Sequence, residues 1–149
     1  MAHEVFTDCL DDLDGAVAAA EVCRPKKIFL LGHSTGCQKS VYYLAKRKDN
    51  PVAGAILLAP LSDYAIALQG DRRLLAERVA KARKLVAAGR GHDLMSAACG
   101  LIDAQRFLSL NTPESLEEIF TYASGKRPSS LRKAGRPALV FLAGADQYG

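Results

Sequence analysis

Three short runs of apolar residues dominate the hydrophobic pattern of the chain. They lie near residues 27–31, 53–59 and 137–143. Each run is unbroken rather than alternating, which is typical of a parallel strand that is buried on both faces. Segments with apolar residues at spacings of three and four cover residues 4–23, 35–47 and 71–89. This alternation of strands and helices predicts an α/β fold, a three-layer sandwich in which helices flank a parallel sheet.

The segment between the second and third strands has a weaker pattern. Besides the helix at 71–89, a short helix is predicted near 113–123, where Thr112 can cap it and Pro113 occupies its first turn. The stretch 125–130 is rich in glycine, proline and serine and predicts a loop. We therefore expect a single domain over residues 1–149, in which 61–135 is a helical, lid-like insertion.

The chain is mildly basic, with a net charge of +4 and a pI near 8.9. Its clustered cations fall on or beside the helix at 71–89, and they are Arg72, Arg73, Arg78, Lys81, Arg83, Lys84 and Arg90. Such a run is typical of a solvated helix face. Because no stacking aromatic residues or nucleic-acid motif accompany it, no nucleic-acid partner is expected.

Metal binding and cellular location can be judged from the cysteines, the histidines and the N-terminal segment. None of the four cysteines forms a CxxC pair or a zinc-ligand spacing with the three histidines, so buried thiols and no metal or organic cofactor are expected. No apolar stretch reaches the roughly 18 residues of a membrane helix. Early acidic residues also argue against a signal peptide. A cytoplasmic protein without membrane partners is predicted.

The chemistry of the chain centres on the motif Gly32-His33-Ser34-Thr35-Gly36, which follows the first strand and opens a helix. A serine hydroxyl becomes an effective nucleophile when a sharp strand-to-helix turn exposes it to substrate. Such a turn brings the backbone so close to itself that small residues are needed at positions 32 and 36. The Thr35 N–H would donate to an oxyanion. The alternative is that Ser34 merely caps the helix that follows.

The segment KIFLLGHSTGCQKSVYYL, followed by GAILLAPLSD, resembles the fungal and plant α/β-hydrolase family that includes siderophore esterases of the fusarinine C type. RFLSL and the final FLAGADQY also resemble that family, so the likeness covers most of the chain. It implies a partial α/β-hydrolase fold and a small-molecule ester as substrate. It also implies that Asp146 is the triad acid, in agreement with the order Ser, acid, His. Asp63, after the second strand, remains an alternative acid or a residue lining the site.

The chain departs from this family in its histidines and in its front strands. The triad histidine should follow Asp146, but all three histidines precede it. His33 is expected to pack beside the elbow and is a pocket candidate, His92 is an alternative base, and His3 is expected to be solvated. Because only one helix precedes the first strand, the chain resembles a fragment whose strand at 27–31 lacks a neighbour.

Three functions remain open from the sequence. The first is a serine ester hydrolase, impaired in this chain because its catalytic histidine is missing. The second is a non-catalytic or truncated protein of the same fold. The third, a nucleotide-binding protein, fits poorly because Lys39 does not directly follow the last glycine of the motif, as a phosphate-binding loop requires. The substrate and the oligomeric state are not indicated.

Overall fold

The structure is a computed structural model that describes residues 2–97 and 100–144, and these residues form two compact units. The sheet unit comprises residues 7–61, 119–121 and 126–144. The hairpin unit comprises residues 2–6, 62–97, 100–118 and 122–125.

The elements alternate between strand and helix for most of the chain. In chain order they are a 3-10 helix at Phe6–Asp8, α1 at Cys9–Val22, β1 at Ile28–His33, α2 at Thr35–Lys46, β2 at Val52–Leu58, α3 at Asp63–Gln69, α4 at Arg72–Ala87, β3 at Leu94–Ala97, β4 at Gly100–Asp103, α5 at Ala104–Asn111, α6 at Ser129–Ala134 and β5 at Ala138–Phe141. None of the described helices is long and apolar enough to cross a membrane.

The sheet unit is built on a parallel three-stranded sheet in the order β1-β2-β5. Leu31 lies opposite Ile56, and Leu57 lies opposite Val140, so the carboxyl ends of the three strands meet at one edge. Helix α2 packs on β1 and β2, and α1 and α6 pack on α2. The parallel sheet with flanking helices confirms the α/β fold class and the three strands predicted from the apolar runs.

Burial differs sharply among the three strands. The middle strand, β2, buries Val52, Ala55 and Leu57 almost completely. In β1, by contrast, Phe29 and Leu31 are 52% and 62% exposed, and all four residues of β5 are exposed. The prediction of burial on both faces is therefore right only in part for β2, where Ile56 and Leu58 are half-buried, and wrong for β1 and β5. Among the described residues, each of these outer strands pairs with β2 alone.

Helix α2 supplies most of the core of the sheet unit. Eight of its residues are buried, including Val41 and Leu44. Its C-terminal end is joined to α1 because the Arg47 guanidinium donates to the Asp14 carboxylate at 2.8 Å. Burial, followed by the hydrogen bond with Asp14, raises the pKa of Tyr43 to about 12. The Tyr43 hydroxyl on the buried face of this helix therefore stays neutral.

The hairpin unit packs α4 and α5 against the antiparallel hairpin β3–β4. Its core cluster contains Ala82, Met95, Ile102, Ala104 and Phe107. The exposed face of α4 carries the predicted cations, several of them paired with acidic residues, which confirms the solvated face. The hairpin and the helices α3, α5 and α6 were not predicted, and the predicted loop at 125–130 reaches into α6.

The helix predicted near 113–123 is wrong, because those residues form turns. Thr112 ends α5 in an extended conformation, as the residue before a proline favours, and does not begin a new helix. Its hydroxyl donates back to the Leu108 carbonyl at 2.7 Å. The N-cap in this region is Asp103, whose carboxylate accepts the Arg106 N–H at 2.6 Å, so the N-cap lies nine residues before the predicted one at Thr112.

Buried charges hold the hairpin unit together. The Arg106 guanidinium forms an ion pair with Glu117, and both side chains are at least 95% shielded from solvent. Glu4 adds a second carboxylate 3.4 Å from Arg106. The Ser109 hydroxyl donates to Glu117 at 2.7 Å. Since α5 supplies Arg106 and Ser109, this network fixes the turns at 113–118 against that helix.

Candidate active site

A single residue, Ser34, turns the chain from β1 into α2. Its backbone has φ 53° and ψ −125°, a region that costs a residue other than glycine roughly 1–3 kcal/mol. Two backbone hydrogen bonds hold it there. The Ser34 N–H donates to the Leu58 carbonyl at 3.1 Å, and the Ser34 carbonyl accepts from Cys37 N–H at 2.9 Å. The strained conformation is therefore imposed by β2 and α2 together.

The Ser34 side chain does not cap the helix that it precedes. It stands at the N-cap position of α2 but makes no capping hydrogen bond, so the helix-cap alternative is wrong. The residue is partly exposed. The first N–H groups of a helix lack partners within the helix, and its positive dipole end favours anions. A hydroxyl beside the N–H groups of Thr35 and Gly36 is thus placed where developing negative charge is stabilised.

Gly32 allows β1 and α2 to approach closely. A Cβ atom at this position would lie 2.4 Å from the Gly36 carbonyl oxygen and 2.7 Å from the Cys37 nitrogen, which excludes any side chain. At Gly36 itself, a Cβ would meet no atom within 4 Å among the residues that the structure describes. The sequence predicted that small residues are required at both positions. The structure shows a steric requirement at Gly32 and none at Gly36 among the described residues.

The buried Cys37 side chain stabilises the turn, and this role was not predicted from the sequence. Its thiol donates to the Gly32 carbonyl at 3.2 Å and to the Leu58 carbonyl at 3.3 Å, which ties α2 to the ends of β1 and β2. Burial raises the pKa of the Cys37 thiol, against the lowering effect of the Leu58 bond, so the group is unreactive. The predicted burial of the thiols is confirmed for Cys9 and Cys37 but is wrong for Cys23, which is exposed.

The other predicted site residues are His33, Asp63 and Asp146. His33 ends β1 with its side chain exposed, so the packing role predicted for it is wrong. Asp63 begins α3 in the hairpin unit, where Ser62 rather than Asp63 caps the helix by accepting the Ala65 N–H at 2.9 Å. Asp146, like Cys99, lies outside the described residues. The structure therefore groups the glycines, Ser34 and Thr35 in one turn of the sheet unit.

A polar cluster around Ser62 lies in the hairpin unit and was not predicted from the sequence. The buried Ser62 hydroxyl donates to the Glu118 carboxylate at 2.8 Å. Its backbone N–H donates to the Tyr122 hydroxyl at 3.1 Å. Partners about 60 residues apart in the chain are invisible to a reading of local pattern. Ser62 is therefore a structural anchor, with its hydroxyl engaged as both donor and acceptor.

Asp103 brings two histidines together in the hairpin unit. Its Oδ2 atom lies 2.9 Å from His92 Nδ1 and 3.1 Å from His3 Nδ1. His3 is exposed to solvent, as predicted, and its imidazole also contacts this carboxylate. Burial alone would raise the pKa of Asp103, but hydrogen bonds from the Arg106 N–H and from the two imidazoles outweigh it and lower the pKa. A carboxylate on Nδ1 fixes the orientation of an imidazole and leaves Nε2 available.

Fold and site together define an α/β protein in which a strained serine joins a parallel strand to a helix. The chain belongs to the family described as "Protein of unknown function (DUF1749)", which matches residues 4–146. No curated protein and no solved structure matches the chain. Since the family description names no activity, function has to be argued from the site.

Proposed function

We propose that this chain carries the nucleophile of a serine hydrolase that acts on carboxylic esters, with Ser34 as the nucleophile. The observation that supports it best is the backbone of Ser34, strained at φ 53° between a parallel strand and a helix. Strain of this kind persists where the surrounding structure enforces it, and it clusters at active sites. A serine needed only as a helix cap would have neither this conformation nor an unused hydroxyl.

The proposed reaction follows from the position of the hydroxyl. Ser34 Oγ attacks the ester carbonyl carbon while a histidine base takes its proton, and the Thr35 N–H donates to the resulting oxyanion. Collapse of this intermediate releases the alcohol, which receives the proton, and leaves an acyl-serine. Water then attacks the acyl group and frees the acid. Asp146 is proposed to orient the histidine and to stabilise its charged form.

The catalytic base is the member of the proposed triad that is hardest to assign in this chain. Its three histidines all precede Asp146, whereas the order of the hydrolase triad puts the histidine after the acid. We therefore expect slow turnover from this chain. The substrate proposed is a small-molecule ester, and the resemblance to siderophore esterases of the fusarinine C type makes a siderophore ester the first natural compound to try.

A fluorophosphonate probe tests the nucleophile directly, because it labels a serine that is activated for attack. We expect labelling of the wild-type chain and its loss in Ser34→Ala. Ser40→Ala is the matched control, since Ser40 lies in the same helix and its hydroxyl already donates to the Gly36 carbonyl at 2.8 Å. Hydrolysis of a short-chain nitrophenyl ester should follow the same order. Labelling that survives in Ser34→Ala, or folded wild-type protein without labelling, would contradict the proposal.

A non-catalytic protein with this fold is the second candidate. The observation in its favour is that the described part of the sheet unit has one histidine, His33, which is exposed beside Ser34. The variant His92→Gln separates the two candidates further. If ester hydrolysis depends on both Ser34 and His92, the base lies within this chain. If neither change alters a measurable rate, the non-catalytic candidate is favoured.

A further inference from the structure

We propose that His3, His92 and Asp103 form a binding site for a divalent transition-metal ion of the zinc type. The inference goes beyond the proposed hydrolase and does not depend on it. One ligand atom from each of the three residues lies within 4.8 Å of the other two. The sequence predicted no metal site, because these ligands are separated by 100 and 11 residues and follow no zinc-ligand spacing.

The distances suit a common ion. Zinc binds imidazole nitrogen and carboxylate oxygen at about 2.0–2.2 Å, which places two ligands of a tetrahedral site about 3.5 Å apart. His92 Nδ1 and His3 Nδ1 lie 2.9 and 3.1 Å from the same Asp103 oxygen, so a small outward shift admits the ion. Each neutral imidazole presents a lone pair on Nδ1 when its proton moves to Nε2, so binding needs no other acid or base.

Backbone hydrogen bonds hold two of the ligands in place before any ion binds. The Asp103 N–H donates to the Ala2 carbonyl at 2.9 Å, which fixes the segment carrying His3 beside the carboxylate. Asp103 is also the N-cap of α5, where its Oδ1 accepts the Arg106 N–H at 2.6 Å. The other oxygen, Oδ2, is the one that faces both histidines. The carboxylate is thereby oriented with one oxygen for the helix and one for the ion.

The third ligand is held by the start of the same helix. The Ala104 N–H donates to the Asp93 carbonyl at 3.0 Å, and the Gln105 N–H donates to the Gly91 carbonyl at 2.9 Å. These bonds bracket His92 on both sides. The imidazole rings of His3 and His92 meet edge to face, with centroids 6.0 Å apart and planes 66° apart, so their Nδ1 edges converge rather than stack. Ligands fixed in this way lose little further freedom on binding.

Exposure and ligand type decide which ions fit. The side chains of His3 and His92 are 57% and 69% exposed while that of Asp103 is 2% exposed, so an ion can enter and retain open positions for water. Calcium and magnesium favour shells made wholly of oxygen, whereas imidazole suits zinc, copper, nickel and iron. Two imidazoles with one carboxylate therefore favour the zinc-type ions.

The test is a titration of ¹⁵N-histidine-labelled protein with Zn²⁺ in the presence of a non-thiol reductant. With only three histidines in the chain, each ring can be followed separately. We expect one equivalent of Zn²⁺ to shift the signals of His3 and His92 and to leave His33 unchanged. Calorimetry should show Zn²⁺ affinity at least about tenfold weaker in His3→Gln, His92→Gln and Asp103→Asn, and unaltered in His33→Gln.

Several outcomes would overturn the proposal. These are unchanged His3 and His92 signals at a large excess of Zn²⁺, or unaltered affinity in the three ligand variants. Asp103→Asn keeps an oxygen for the Arg106 N–H, so its circular dichroism is expected to match the wild type. Cys23→Ser removes the exposed thiol as a competing ligand and should leave the histidine shifts intact. Fluorophosphonate labelling of Ser34 is a separate readout, so the failure of one proposal leaves the other standing.

Discussion

The two units of this protein stabilise their interiors by different means. The sheet unit buries apolar side chains with two uncharged polar residues, Gln38 and Ser40. The hairpin unit buries charges as well, and among the described residues its Asp103, Arg106 and Glu117 are all at most 4% exposed. An apolar core tolerates many exchanges of similar volume, whereas a buried charge depends on one particular partner.

The two units therefore differ in which residues are most sensitive to mutation and in the kind of residue that carries the candidate chemistry. In the described part of the sheet unit, Ser34 is one of three residues other than glycine with a positive φ, beside Arg24 and Ala59, and backbone hydrogen bonds hold it in place. In the hairpin unit, the side chains that a change would disturb most are those that form the ion pairs.

The largest effect is expected from breaking the buried ion pair. Arg106→Ala leaves the Glu117 carboxylate uncompensated at a site with 1% side-chain exposure. Removing one member of such a pair costs about 3–5 kcal/mol of unfolding free energy. Urea denaturation followed by circular dichroism measures this loss.

Two controls sharpen this prediction. Arg73→Ala breaks an exposed ion pair with Glu77 on α4 and should cost less than about 1 kcal/mol. The double variant Arg106→Met/Glu117→Leu removes both charges and should recover part of the stability lost in the single variant. A loss in Arg106→Ala no larger than that in Arg73→Ala would show that the buried pair contributes little.

The second effect tests the packing of the sheet unit. Gly32→Ala places a methyl group 2.4 Å from the Gly36 carbonyl oxygen, and such overpacking costs about 1–3 kcal/mol. Gly36→Ala is the matched control, because its methyl group meets open space in the first turn of a helix and should stabilise by about 0.4–1 kcal/mol. Equal destabilisation by the two changes, measured by thermal unfolding, would contradict this account of the turn.

The sheet unit could be predicted from the sequence because its stabilising pattern is local. Unbroken apolar runs located β1, β2 and β5, and the glycines around Ser34 located the turn. The exposure of Phe29 and Leu31 could not be predicted. An apolar run indicates that a strand favours burial, but it does not show whether other residues pack over the strand.

The hairpin unit could be predicted only in part because its contacts join distant positions. Helix α4 has an apolar stripe and an N-cap aspartate, Asp71, and both are local signals. The pairing of His3 with Asp103 spans 100 residues, and Ser62 meets Glu118 across 56. Such partners carry no periodic signature. The misplaced helix at 113–123 has the same origin, because the ion pair of Glu117 with Arg106 favours a turn there.

The third effect separates strain from chemistry at the elbow. Ser34→Gly relieves the positive φ at the turn and should stabilise the chain by about 1 kcal/mol, because glycine adopts this region without steric cost. Ser34→Ala removes the same hydroxyl but keeps a Cβ atom, so it should remain strained. Both should lose fluorophosphonate labelling. A Ser34→Gly variant no more stable than Ser34→Ala in urea would mean that the turn stores no strain.

The smallest effect is a pH dependence that belongs to the hairpin unit. The pKa of Asp103 is lower in the folded chain than in the unfolded one, since the bonds from the Arg106 N–H, His92 and His3 outweigh its burial. The unfolded state therefore binds the proton more readily, and stability rises with pH across this window. The contribution is complete above about pH 4 and is lost as the pH falls through the lowered pKa.

Asp103→Asn removes this titration while keeping an acceptor for the helix. In buffers containing a chelator, the difference in unfolding free energy between wild type and Asp103→Asn should therefore shrink on acidification. The measurement compares urea midpoints at about pH 6 and at about pH 3. The same difference at both pH values would mean that the histidine contacts do not favour the ionised carboxylate.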